Sequence, residues 1–173
     1  MTDYKKYIDV VADFPKDGIF FKDISRLLAD DEIFKGAIGD MGRLVKNPNY
    51  WIGIDARGFI FGGILAHRTR CPLVLCRKAG KLPGSTVSQE FELEYGMATM
   101  EIQKDSINRG DRVIIIDDLM ATGGTMQAAI DMIYELHATP IAIACAMDLS
   151  FLGGSASIKK QGIPFYAATE YQS

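Results

Sequence analysis

The sequence predicts an α/β fold in one domain: a mostly parallel central sheet flanked by helices. Three observations predict it. The runs 50–54, 72–76, 112–116, 141–147 and 163–168 are short and apolar, as strands covered on both faces are. Segments with helical spacing, 58–67 and 124–137, separate some of them, and that alternation implies crossover helices packed on a parallel sheet. The chain has 173 residues, 48% hydrophobic and 24% charged, an ordinary balance for one core.

The elements follow in chain order. Tyr4, Tyr7, Ile8 and Val11 have helical spacing, so a helix is expected over 2–11, with Pro15 just past its end. A second helix is expected over 31–45, on the stripe Ile33, Phe34, Ala37, Ile38, Met41, Leu44 and Val45, with Asn47-Pro48 as its stop. Val113 to Ile116 are four consecutive β-branched residues and make 112–116 the clearest strand. The segment 79–89 is polar and rich in Gly, Pro and Ser, and strand-like pieces follow at 91–95 and 97–102. A long polar loop feeding a hairpin inside a compact domain is expected to be a lid or binding loop.

Composition excludes several classes. A net charge of −3 and a pI of about 5.4 argue against broad nucleic-acid binding, which needs a basic face. No apolar run approaches the roughly 20 residues of a membrane span. The polar start, Met1 to Tyr7, is not expected to be a secretory signal. Cys71, Cys76 and Cys145 are odd in number, lack CxxC spacing and sit among apolar neighbours. They read as buried hydrophobes rather than disulfides or zinc ligands, and a reducing cytoplasm is the expected location.

The chemistry concentrates in Ile114-Ile115-Ile116-Asp117-Asp118-Leu119-Met120-Ala121-Thr122-Gly123-Gly124-Thr125. A buried strand ends in two acids, and a small glycine-containing turn then opens a helix. Such a turn converges backbone N–H groups at the positive end of the helix, a site for a phosphate dianion. Gly123 and Gly124 allow close approach, and the Thr122 and Thr125 hydroxyls add donors. Two carboxylates beside a phosphate need other partners, and ribose hydroxyls or a cation supply them. The motif therefore reads as a holder of a ribose 5-phosphate: phosphate on 121–125, diol on Asp117 and Asp118. It is neither a Walker loop, since no lysine follows Gly124, nor a GxGxxG fingerprint.

This segment resembles the phosphoribosyl pyrophosphate (PRPP) signature of the type I phosphoribosyltransferases, and nearly the whole chain is similar to the adenine phosphoribosyltransferases among them. Asp13-Phe14-Pro15-Lys16-Asp17-Gly18-Ile19-Phe20-Phe21-Lys22-Asp23-Ile24 resembles that family's base-binding segment, Asp55-Ala56-Arg57-Gly58-Phe59 its pyrophosphate loop, Arg77-Lys78-Ala79-Gly80-Lys81-Leu82-Pro83-Gly84 the start of its mobile loop, and Leu93-Glu94-Tyr95-Gly96 the loop's return. The resemblance implies the type I phosphoribosyltransferase fold, with a base-binding hood over about 1–30 and a mobile catalytic loop over about 79–101. It implies transfer of phosphoribose from PRPP to N9 of adenine, giving AMP and pyrophosphate, with Mg2+ held mainly through PRPP and no firm protein ligand. It also implies a homodimer, with no nucleic-acid or membrane partner.

The same resemblance distributes the roles. Arg57 acts in catalysis and, with Asp55, Ala56, Arg77, Lys78, Lys81 and Tyr95, holds pyrophosphate; Arg77 reaches towards a neighbouring subunit; and the Asp55-Ala56 peptide is cis. Glu94 manages the base's proton as a general acid/base. Phe20, Phe21, Lys22 and Leu149 form the adenine site, Phe21 stacking on the ring and Leu149 lying opposite. The chain departs from the family pattern at Lys22, where many members have arginine, and at Asp148, where glutamate is common. Hypoxanthine-guanine enzymes of the superfamily carry an aspartate after the position of Met120; this chain has Ala121, which favours adenine and an acid/base supplied by Glu94. The alternatives are a transferase for another purine and a PRPP-sensing module without catalysis. Glu94→Ala is expected to lower turnover by about 10²-fold or more, the usual worth of a general acid/base, while PRPP affinity barely changes; steady-state rates with a PRPP titration check this, and unchanged turnover moves the role elsewhere.

Overall fold

The computed structural model describes residues 2–44, 47–93 and 96–173. Its centre is a seven-stranded sheet in the order β5-β6-β4-β3-β7-β8-β9. The parallel part comprises β3 (Tyr50–Ile54), β4 (Leu73–Lys78), β7 (Arg112–Met120), β8 (Thr139–Leu149) and β9 (Phe165–Tyr171). An antiparallel hairpin, β5 (Thr86–Leu93) and β6 (Gly96–Gln103), extends it beside β4. A separate two-stranded hairpin, β1 (Asp9–Val11) and β2 (Phe21–Asp23), forms the hood.

Parallel neighbours need crossovers, and helices supply them. α1 (Ser25–Ala29), α2 (Asp31–Met41) and α3 (Gly58–Thr69) cover one face of the sheet; α4 (Gly124–Glu135) and α5 (Gly154–Lys160) cover the other. Alternation along β7 separates two cores: Ile114 and Ile116 pack with Phe61, Leu65, Ile38 and Met41, while Val113 and Ile115 pack with Met126, Ile130 and Ile133. The predicted stripe of α2 is real. Asp30 caps it by accepting from Ile33 N–H at 3.1 Å, Asp31 and Glu32 favour its first turn, and Ala37, Ile38 and Met41 are buried. The helix stops at Met41, a 3-10 turn follows over Gly42–Leu44, and Val45 lies outside the described residues.

The expected helix over 2–11 is corrected. A 3-10 turn spans only Tyr4–Tyr7, and the chain then extends into β1. Tyr4 is buried with its hydroxyl donating to Asp40 at 2.7 Å, which ends the helical path, and Val10 and Val11 pair with Lys22 and Phe21. β-branched residues favour that pairing. The polar loop expected over 79–89 ends early, because Thr86 already pairs with Gln103. Eight cross-strand pairs and the burial of Val87 beside Met100 and Ile102 outweigh its polar composition. β7 and β9 both run beyond the expected strands, to Met120 and Tyr171.

The topology places the site. From central β3 the chain crosses over α3 to β4 on one side; later it returns and lays β7 on the other side. The order therefore reverses between β3 and β7, the point at which an open parallel sheet leaves a crevice beyond its carboxyl ends. Ile115 is 0% exposed in the strand that forms this crevice. Ile115→Ala is expected to destabilise the protein by about 2–5 kcal/mol, the range for deleting a core aliphatic side chain; denaturant unfolding measures it, and a loss below 1 kcal/mol, far under that range, contradicts the packing described.

Candidate active site

Two strand-to-helix turns meet at the reversal point. Arg57 caps α3 after β3, and the 121–123 turn joins β7 to α4. Between them lies a pocket of about 220 Å³ lined by Arg57, Asp117, Asp118 and the segment 119–126. The sequence motif and the pocket coincide.

Close packing sets the shape of both turns. A Cβ on Gly58 would sit 2.7 Å from Ile116 O and 3.0 Å from Asp117 Oδ1, so only glycine lets the start of α3 press against the end of β7. Gly123 has φ +91° and caps α4. Gly124, expected to let a ligand approach, lines the pocket and also lets the hairpin approach: its Cβ would meet Phe91 Cδ2 at 3.1 Å and Glu92 O at 3.3 Å. Gly154, which the motif did not reveal, supports the turn from behind, and its Cβ would lie 2.3 Å from Ala121 O. Thr122 is exposed, while Ala121 and Thr125 are partly buried along the pocket wall.

Arg57 joins the parts of the site. Its Nη2 lies 2.7 Å from Asp118 Oδ2, its Nη1 donates to Lys22 O at 2.9 Å, and its guanidinium carbon is 4.9 Å from the centre of the Phe21 ring. Asp118 is 4% exposed, and Oδ2 has no aligned hydrogen-bond donor among the described residues despite this ion pair. The Asp118 N–H donates to Asp117 Oδ1 at 2.8 Å. Burial pushes both carboxyls above their usual range; the neighbouring Asp118 charge lifts Asp117 further, whereas Arg57 draws Asp118 back down.

The Asp55-Ala56 peptide is cis, as the resemblance implied. Asp55 Oδ2 accepts from Arg77 Nε at 3.1 Å, and Arg77 Nη1 donates to Lys81 O at 3.2 Å. The expected cation cluster is thus partly neutralised by Asp55, with Lys78 and Lys81 exposed at its rim. Glu94 and Tyr95 lie outside the described residues, at the gap between Leu93 and Gly96, which pair with each other.

The hood carries Phe20, Phe21 and Lys22. Phe20 is 64% exposed, and Phe21 meets Phe14 edge-on at a centroid distance of 5.2 Å. Lys22 Nζ lies 4.4 Å from the centre of the Tyr171 ring. Tyr171 is the register partner of Leu149, which ends β8, so the hood reaches the strand end where Leu149 sits. Sequence reasoning missed Tyr171 and Phe14. Only the β-branched pair Val10-Val11 hinted at the hairpin that brings Phe21 and Lys22 here. Cys76 and Cys145 are buried as expected, whereas Cys71 is only half-buried, with its thiol 3.2 Å from Pro48 O. Among the described residues no cluster of three or more His, Cys, Asp or Glu forms a metal site, and no helix is long and apolar enough to cross a membrane.

Comparison with known proteins agrees with this geometry. The phosphoribosyl transferase domain family matches residues 26–155. An adenine phosphoribosyltransferase of Mycoplasma mobile is 45% identical over 163 residues, covering 94% of this chain and 95% of its own. The crystal structure of an adenine phosphoribosyltransferase from Thermoanaerobacter pseudethanolicus superposes with a TM-score of 0.90 at 38% identity, over 96% of this chain and 97% of that one. One from Saccharomyces cerevisiae, complexed with an imino-altritol bisphosphate and adenine, gives 0.84 at 35% identity, over 94% of each chain.

The paired acids make a prediction about stability. Asp117 titrates above its unfolded-state value, so its contribution to folding is full below that value and is lost as pH rises through the raised folded value. Asp117→Asn escapes this loss. Its melting temperature is expected to gain on the wild type progressively as pH rises from about 4, the unfolded carboxyl value, towards neutrality. Melting curves across that range check it, and a gap that narrows with rising pH would contradict burial as the cause.

Proposed function

The chain belongs to the phosphoribosyl transferase family, and we propose that it transfers phosphoribose from PRPP to N9 of adenine, releasing AMP and pyrophosphate in purine salvage. The observation that carries this reading is the pocket at the reversal point, where the buried Asp118 and the half-buried Asp117 face a glycine turn and a helix N-terminus.

The 5-phosphate takes the turn Ala121, Thr122, Gly123, Gly124 and Thr125, where backbone N–H groups and the α4 dipole favour a dianion. The ribose hydroxyls take Asp117 and Asp118, and the buried Asp118 Oδ2 without an aligned donor suits a ligand hydroxyl. Pyrophosphate lies over Asp55, Ala56 and Arg57, with Arg77, Lys78, Lys81 and Tyr95 around it. Arg57 then exchanges a carboxylate for a more highly charged partner and leaves Asp118 to the sugar. Adenine takes the slot between Phe21 and Leu149, its edge read by Phe20 and Lys22.

In the reaction the N9–C1′ bond forms as the bond from C1′ to the pyrophosphate oxygen breaks. The bonding pair leaves with pyrophosphate, and positive charge develops on the sugar. Arg57 and the turn amides balance the anionic groups at fixed positions, which lowers the barrier. Glu94 takes the proton that N9 gives up. Mg2+ would be carried mainly by PRPP with no firm protein ligand, and Asp117 and Asp118, which line the pocket, would add negative charge near it. When bound it neutralises charge on the leaving group.

The hairpin around 79–101 serves as the mobile lid, and the hood spans about 1–30 in a single domain. The exposed Ile60 and Leu75, near Arg77, favour a homodimer contact there. The free cysteines accord with a reducing cytoplasm.

The test is product formation from PRPP and Mg2+ with adenine, hypoxanthine, guanine and xanthine in parallel. AMP from adenine alone is expected. Turnover of a 6-oxopurine overturns the base assignment, and PRPP binding without any turnover replaces catalysis with sensing.

A further inference from the structure

The base-reading strand β2 is held from two sides. On one side Arg57 takes the Lys22 carbonyl and covers the Phe21 ring. On the other the Lys22 side chain crosses to β9, where its ammonium sits 4.4 Å from the centre of the Tyr171 ring. Lys5, from the 3-10 turn that opens the hood, places its ammonium 5.0 Å from the same ring. Two cations from separate parts of the hood thus converge on one aromatic residue at the end of the sheet. Tyr171 pairs with Leu149, so the Lys22–Tyr171 contact bridges the two walls of the adenine slot.

The ring carries this contact, not the hydroxyl. Tyr171 Oη is buried and has no hydrogen-bond partner among the described residues. Lys22 is half-buried, and burial lowers its pKa; an aromatic face compensates a partly desolvated ammonium. The contact also fixes what Lys22 presents to a base. Its ammonium is drawn onto the ring, while its backbone stays in the strand beside Phe21.

We propose that Tyr171 is a positioning residue for the purine: by stacking on the Lys22 ammonium it sets the distance between β2 and the Leu149 end of β8, and so the width of the slot. This inference rests on the adenine reading above. It differs from a general stabilising role because its effect falls on one substrate alone.

Steady-state kinetics of Y171F, Y171L, K22M and the K22M/Y171L double variant test it, with adenine and PRPP varied separately. Y171L is expected to raise KM for adenine by about 2- to 30-fold, the span of a cation–π contact, with kcat and KM for PRPP nearly unchanged, and K22M, which also removes a side chain at the base edge, to raise KM for adenine by at least as much. Y171F keeps the ring and is expected to behave as the wild type. The double variant is expected to be no worse than the poorer single one, since both remove the same contact. A parallel rise in KM for PRPP, additive effects, or Y171F as impaired as Y171L overturns the proposal. If Y171L fails to fold, Y171M takes its place, since it removes the ring and leaves Lys22 intact: an unchanged KM for adenine in Y171M overturns the proposal. A wild type that makes no AMP from adenine removes the adenine reading itself and this inference with it; a wild type that does, beside variants with unaltered KM for adenine, removes only the inference.

Discussion

The Arg57 guanidinium joins two otherwise independent parts of the molecule: the Asp118 carboxylate on β7 and, on β2, the Lys22 carbonyl and the Phe21 ring beside it. Two acids in sequence at the end of an apolar strand are costly, since burial opposes both charges and the Asp118 charge also opposes that of Asp117. A cation 2.7 Å away offsets part of that cost. Ion pairs taken out of water contribute little net stability, so this arrangement makes more sense as a poised site than as a fastening.

The pair depends on geometry set elsewhere. Arg57 reaches Asp118 because β3 and β7 are parallel neighbours with Gly53 opposite Ile116, and because Gly58 lets α3 begin against the β7 backbone. The turn from β7 into α4 is held equally closely, between Gly154 behind and the β5 backbone beside Gly124. Two separate cores, one on each face of the sheet, hold these turns in register. Rigid packing of this kind fixes the backbone of both turns, and a preformed site leaves little ordering for a ligand to bring about.

Much of this was legible. Four β-branched residues before Asp117-Asp118 marked a doubly covered strand, and the glycines after them marked a turn into a helix; both signals are local and depend on side-chain type alone. The path of residues 2–11 was not legible. Tyr4, Tyr7, Ile8 and Val11 have helical spacing, yet the burial of Tyr4 against Asp40 and the pairing of Val10 with Lys22 override it. Gly124 was read for close approach, but its contact with Phe91, over 30 positions earlier in the chain, had no local signal.

The sequence by itself determined the fold class, the strand carrying the acids and the turn that follows, because hydrophobic period and glycine placement act over a few residues. Only the tertiary structure decided that Arg57 meets Asp118, that Gly154 backs the turn and that Tyr171 receives Lys22. Those contacts join residues far apart in the chain, and their existence depends on strand order and on packing across the sheet, which no local pattern encodes.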